Sequence, residues 1–254
     1  MTNQKVTDVL KQLETLNQQA SIDIFIPSLK RNVKFKNLTL KQQKNLLKSS
    51  IDESLTKLSF SVNFYQIIKE NINEPINIDS FYSFDKLSIA VSLRANGLDR
   101  EYKEKDKTYN LEDLINNIPN IAITPDLLEG VIDVEGMQIV VSAPTLKVDR
   151  DLSSYAVGKI ANLTASDIKT IISELFILEV LKFIKSITIK TGDTENIIEM
   201  NAIRNDEKVA LAEKLPSHVT NKILDFIKKY RQLENNLTKL DDINVEVDGS
   251  FFTI

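Results

Sequence analysis

Apolar residues recur along this chain with two periods, and the switches between them mark out its elements. Val6, Val9, Leu10, Leu13 and Leu16 fall at three- and four-residue spacings with Lys5, Asp8, Lys11 and Glu14 elsewhere, which predicts an opening amphipathic helix. Ile22, Ile24 and Ile26 then alternate with Asp23 and Phe25. After Pro27-Ser28 the alternation resumes at Val33 and Phe35 among Asn32, Lys34 and Lys36, so two short strands should form a hairpin around a Pro-Ser turn. Thr39 and Gln42 have the spacing of a capping box, whose side chains satisfy the free amides of a first helical turn, and Leu40, Leu46, Leu47 and Ile51 carry that helix on. Ser61 to Asn71 reads as a further helix, broken at Pro75. Asp79 to Arg94 restores the helical period through Phe81, Phe84, Leu87, Val91 and Leu93, with Gly97 as its stop. The alternating charges Lys103 to Lys107 suit a solvated loop or hairpin tip.

Between Ile118 and Leu146 the period becomes strand-like, first at Ile121 and Ile123, then at Val131, Ile132 and Val134, and again at Met137, Ile139, Val140 and Val141. Asp133 to Gly136 sits where a hairpin would turn. From Leu152 the pattern is helical again. Thr164 or Ser166 could cap a run from Ile168 to Ile189, through Ile171, Ile172, Leu175, Ile177, Leu178, Leu181 and Ile184, that is apolar around most of its circumference and therefore expected at the centre of a bundle or an interface. Pro216 can open a last long helix with its stripe at Val219, Ile223, Phe226, Ile227, Tyr230, Leu233 and Leu237, after which Val245 and Val247 alternate. The expected fold class is α+β: mainly helical N- and C-terminal lobes, short N-terminal strands and a small antiparallel sheet in the middle. The corresponding division is 1–117, 118–148 and 149–254.

Composition narrows the chemistry more than it reveals it. The 254 residues are 42% hydrophobic and 27% charged, enough apolar surface for a sizeable core. The net charge of -4 supplies no overall field toward nucleic acid or acidic membranes. Without cysteine there is no disulfide framework, thiolate metal site or cysteine nucleophile, and a single histidine, His218, excludes sites built on several imidazoles. Met1 to Thr15 has no continuous apolar core of signal-peptide length, and Lys169, Glu174, Glu179, Lys182 and Lys185 interrupt the most apolar stretch, so neither a secretion signal nor a membrane span is expected.

The glycines are too dispersed for a phosphate-binding loop. Carboxylates pair up at Asp149 with Asp151, Asp206 with Glu207 and Asp241 with Asp242. Such pairs could hold magnesium, but these sit beside helix ends or loops and match no calcium-loop spacing, so a structural role is the simpler reading. His218 opens the last helix without local partners for acid-base work, and no serine lies in a nucleophile elbow. Lys30, Arg31, Lys34 and Lys36, interleaved with Phe25 and Phe35, form the best nucleic-acid patch, with a solvated strand face as the alternative. Phe251, Phe252 and Ile254 are unusual for a chain end, which is ordinarily polar and frayed. They are expected either to pack back as an edge strand or to contact a neighbouring subunit.

Three segments resemble the T4-like bacteriophage baseplate proteins, the hub subunit or hub-assembly factor of contractile-tailed phages. One runs from Ile26-Pro27-Ser28-Leu29-Lys30-Arg31 through Val33, Phe35, Leu38-Thr39 and Lys41-Gln42-Gln43-Lys44 to Leu46-Leu47. The second is Phe84-Asp85-Lys86-Leu87 with Leu93-Arg94, and the third is Leu215-Pro216 with the closing Val245, Val247, Asp248 and Phe251-Phe252. The resemblance implies a non-enzymatic hub component or assembly chaperone, with other hub or tail proteins as partners and no cofactor, metal, small-molecule substrate, nucleic acid or membrane. It places the protein in the infected host's cytoplasm during assembly and leaves membership of the virion open. A nucleic-acid-binding regulator and a carboxylate- or metal-dependent enzyme are the competing readings.

Overall fold

The computed structural model describes residues 4–49, 56–134, 136–161, 167–192 and 194–253. Helix α1 (Gln4–Gln19) leads through Ala20 into the hairpin β1 (Ser21–Ile26) and β2 (Arg31–Lys36), whose register pairs Ile24 with Val33 and Ile22 with Phe35. One face of this hairpin, Ile24, Ile26, Val33 and Phe35, is wholly buried, as the two-residue alternation requires. Lys30 closes the turn with φ 52°, and α2 (Leu40–Ser49) follows. The capping box is formed: the Thr39 amide donates to Gln42 Oε1 at 3.0 Å and the Gln42 amide to Thr39 Oγ1 at 3.3 Å.

Helix α3 (Thr56–Asn71) packs on α2 and, more extensively, on the later helix Leu146–Ile160. The helix expected from Asp79 is shorter than its sequence pattern. A 3-10 turn covers Ile78–Ser80, and α4 (Asp85–Gly97) begins six residues later than the apolar spacing suggested, because the backbone before it bridges Tyr82 to Thr145, with the Ser83 amide donating to the Pro144 carbonyl and the Leu146 amide to the Phe81 carbonyl, both at 2.7 Å. The charge run is a hairpin tip between β3 (Glu101–Glu104) and β4 (Lys107–Asn110), with Lys105 at φ 55°, and α5 (Leu111–Asn117) follows.

Ile121 and Ile123 are not in a strand. A 3-10 turn (Ile118–Asn120) and the single-turn helix α6 (Pro125–Leu128) occupy that stretch, and the sheet starts with β5 (Glu129–Val134) and β6 (Met137–Ser142). Gly136 takes φ 72° at the turn, where a side chain would be strained, and Glu135 lies outside the described residues. Thr145 caps α7 (Leu146–Ile160) through its hydroxyl on the Val148 amide.

Instead of one helix to Ile189, α8 (Ile168–Leu181) ends and the chain returns as β7 (Ile184–Thr191), paired with β8 (Thr194–Glu199) in a four-stranded antiparallel sheet of order β5-β6-β7-β8. Ile184, Ile187 and Ile189 are β-branched, Ile187 and Ile189 alternate, and β6 offers all three a hydrogen-bonded edge with a register shift before Ile184, an attraction no helical period can register. The proposed caps Thr164 and Ser166 lie outside the described residues. Nor is α8 central: Leu178, Val180 and Leu181 are buried, while Ile172 is 62% and Phe176 49% exposed.

Helix α9 (Asn205–Ala212) precedes α10 (Ser217–Thr238), whose stripe from Val219 to Leu237 is buried as expected. The Phe226 ring of α10 packs over Gly130 of β5, where an added Cβ would lie 3.7 Å from the ring, an ordinary van der Waals contact. A two-residue ladder, β9 (Lys239–Leu240) with β10 (Ile243–Asn244), follows, and the chain ends in a 3-10 turn, Ser250–Phe252. Val245 is buried but in no strand, so the edge strand expected for the tail is not formed. The α+β class holds, with one apolar core running continuously from Ile24 to Phe252. Among the described residues no helix is long and apolar enough to cross a membrane.

Candidate functional site

The tail aromatics point inward. Phe251 and Phe252 are 2% and 0% exposed. The Asp248 carboxylate holds their turn, accepting from the Ser250 amide at 2.8 Å, the Ser250 hydroxyl at 2.6 Å and the Phe251 amide at 3.3 Å. Phe252 sits against Phe60 and Phe64, with centroids 6.2 Å and 5.8 Å away, and Gln43 Nε2 donates to its carbonyl at 3.2 Å. The Arg94 guanidinium lies 4.8 Å from the Phe251 ring and donates to the Phe251 carbonyl. Both rings therefore anchor the C-terminus inside the chain's own N-terminal half, which leaves no ring face for a neighbour. Ile254 lies outside the described residues.

The segments that carried the family resemblance meet one another in space. Ser28, in the hairpin turn, donates from its amide (2.9 Å) and its hydroxyl (2.6 Å) to the two oxygens of Asp85 at the start of α4. Burial pushes the Asp85 carboxyl up to about 6, against the opposing pull of these donors and of the Tyr82 amide. The next residue, Lys86, reaches Asp149 of α7 at 2.6 Å and Ser61 of α3 at 3.0 Å. Asp149 is gripped on its other oxygen by Lys182 at 2.7 Å. Burial alone would raise the Asp149 carboxyl, but the charges of Lys182 and Lys86 outweigh it and hold the group well below the ordinary carboxylate range. These contacts fasten hairpin, helices and tail together, which is structural work. Ser61, Lys86, Asp149 and Lys182 line a cleft of about 460 Å³ together with Arg231 and Glu234 of α10 and the tail residues Val245 to Val247. Cations and carboxylates balance within it: Lys182 also lies 3.7 Å from Glu179, and Arg231 bonds both Glu179 and Glu234.

The other carboxylates singled out in the sequence stay apart and have local duties. Asp151 pairs with Arg150 at 2.6 Å, Asp206 with Arg204 at 3.1 Å, and Glu207 accepts from the Arg204 amide at 2.8 Å to start α9. Asp241, at φ 52°, makes the β9-β10 turn, and Asp242 accepts from Lys107 at 2.8 Å and Tyr109 at 3.0 Å. No group of three metal-ligating side chains comes together among the described residues. His218 is exposed on the first turn of α10. In the basic patch, Phe35 is wholly buried, Arg31 pairs with Glu74 at 3.1 Å and Lys34 with Asp23 at 3.2 Å, so the strand face offers no stacking platform at Phe35 and two of its cations are already engaged.

Helix α1 presents an uncovered apolar face. On α1, Val6, Val9, Leu10, Leu13 and Leu16 are 50–61% exposed, a continuous stripe along a helix that touches the body chiefly at β2. Isolated exposed apolar residues are ordinary, but three leucines and two valines on one face of one helix are not. The spacing of the stripe was legible in the sequence; that none of the described residues folds over it was not. Comparison with protein-family models, curated proteins and solved structures finds no match for this chain.

Proposed function

We propose that this protein is a non-catalytic component or assembly chaperone of a phage tail baseplate hub and that it acts through protein–protein contacts. The observation that carries the reading is the uncovered stripe of α1, an amphipathic helix whose apolar face has no partner within the described residues. The resemblance of the Ile26–Leu47, Phe84–Arg94 and Leu215–Phe252 segments supplies the assembly in which such a face would be used. On this reading the protein works in the infected host's cytoplasm during assembly, with other hub or tail proteins as partners and no substrate, cofactor or nucleic acid.

The test is copurification of the tagged full chain from infected cells, beside a Leu10→Glu, Leu13→Glu variant. Hub proteins should accompany the wild-type chain and be lost from the variant, whose body keeps its fold because both side chains are surface-exposed. Wild-type protein that brings down no tail component overturns the proposal. Probing finished tails for the chain then separates a resident component from a factor that departs.

A further inference from the structure

We propose that the occupant of the α1 stripe is a second copy of the same helix, packed antiparallel, so that the protein enters assembly as a pair. This rests on the reading of α1 as a contact surface: the stripe joins two copies, and the pair is the unit that meets the other hub or tail proteins. Val6, Val9, Leu13 and Leu16 follow one another at intervals of three, four and three residues, the seam spacing of paired helices. That sequence of intervals reads the same in both directions. In an antiparallel pair Val6 therefore stands opposite Leu16 of the partner subunit and Val9 opposite Leu13 of the partner subunit, one smaller and one larger side chain at every level, which fills the seam evenly. Leu10 widens the apolar face on one side.

Charge and connectivity favour the same partner. Lys5, Asp8, Lys11 and Glu14 alternate in sign, so the helix is electrically neutral, no charge occupies the seam, and two copies meet without net repulsion. A membrane surface would instead be met by a helix rich in lysine and arginine on its polar face. The antiparallel sense follows from the junction with the body. Only Ala20 separates α1 from β1, so a parallel pair would bring two folded bodies to the same end of a rod about 24 Å long, whereas an antiparallel pair sets them at opposite ends. A seam on one 16-residue helix is small beside a standard interface of roughly 800 Å² per partner, so the pair is expected to be weak, in the micromolar range.

The absence of cysteine makes the test clean. Sedimentation of the full chain from about 1 to about 300 µM brackets micromolar affinity. The weight-average mass should rise from one copy toward two, and Leu13→Glu should remain a monomer throughout with an unchanged melting temperature. Val9→Cys and Leu13→Cys proteins, mixed and oxidised, should form a mixed disulfide pair in preference to either self-pair. A wild-type chain that is monomeric at every concentration overturns the proposal, as does preferential self-crosslinking of each single variant, which would mean parallel packing. A monomeric chain whose Leu10→Glu, Leu13→Glu variant still loses hub proteins refutes self-pairing alone, whereas a dimer that brings down no tail component refutes the hub reading alone.

Discussion

Replacing Phe252 by Ala tests whether the C-terminal turn is part of the isolated fold. The ring is 0% exposed, lies within 6.2 Å of the Phe60 and Phe64 rings by centroid, and shares an edge-to-face contact with Phe251 at 5.4 Å. Truncating a phenylalanine in such a place removes its transfer free energy and leaves a cavity that rigid aromatic neighbours fill poorly, together costing about 3–5 kcal/mol. That is a large share of a total stability of about 5–15 kcal/mol. For a chain of this size it corresponds to a fall in melting temperature of about 6–20 °C, at roughly 2–4 °C per kcal/mol. Urea unfolding followed by circular dichroism reads the difference directly. Leu40→Ala is the control, because Leu40 is 81% exposed and its truncation should change stability by no more than about 0.5 kcal/mol. A Phe252→Ala cost below about 1 kcal/mol would refute the reasoning, since a ring that stabilises so little cannot be buried in the free protein.

Two buried carboxylates should respond to pH in opposite senses. Asp85 is raised from 3.8 to about 6, so its contribution is complete below the unfolded value and about 2 kcal/mol of it is lost as pH rises from 4 to 6, a slope that Asp85→Asn should remove from urea midpoints measured across that range. Asp149 is depressed, so its contribution is present above the ordinary value of 3.8 and disappears as pH falls below it. Asp149→Asn, by leaving Lys86 and Lys182 without their shared carboxylate, should cost about 3–5 kcal/mol at pH 7 in the same assay, and an unchanged midpoint would refute the ion-pair assignment. Leu178→Asp should unfold the C-terminal half, because Leu178 is 2% exposed; Leu175→Asp, at a half-buried position, should cost clearly less in thermal melts. Single alanine changes at Asp151, Asp206, Glu207, Asp241 and Asp242 should abolish no turnover in a metal-dependent hydrolysis panel, and loss of a measured activity in any one would overturn the non-catalytic reading.

The sequence by itself determined the elements whose stabilising partners are close along the chain. The Thr39–Gln42 box, the β1-β2 register and the stripe of α10 each depend on contacts between residues a few positions apart or on one face of one element, and those patterns are printed in the residue order. Tertiary structure decided the rest. Ile184 to Thr191 is a strand because β6 stands ready to pair with it, although the residues before it had set a helical rhythm. Phe251 and Phe252 look alike in the sequence whether they serve a neighbour or the chain's own core, and only the arrival of Phe60, Phe64 and Arg94, some 150 to 190 positions away, settles where the rings go. Asp149 reads as a helix-end carboxylate until the fold brings Lys86 and Lys182 to it from both sides. The stripe of α1 is the reverse case: its apolar period is complete in the sequence, but exposure is a property of what does not pack against it, and a residue pattern encodes a face without encoding whether the chain itself will cover it.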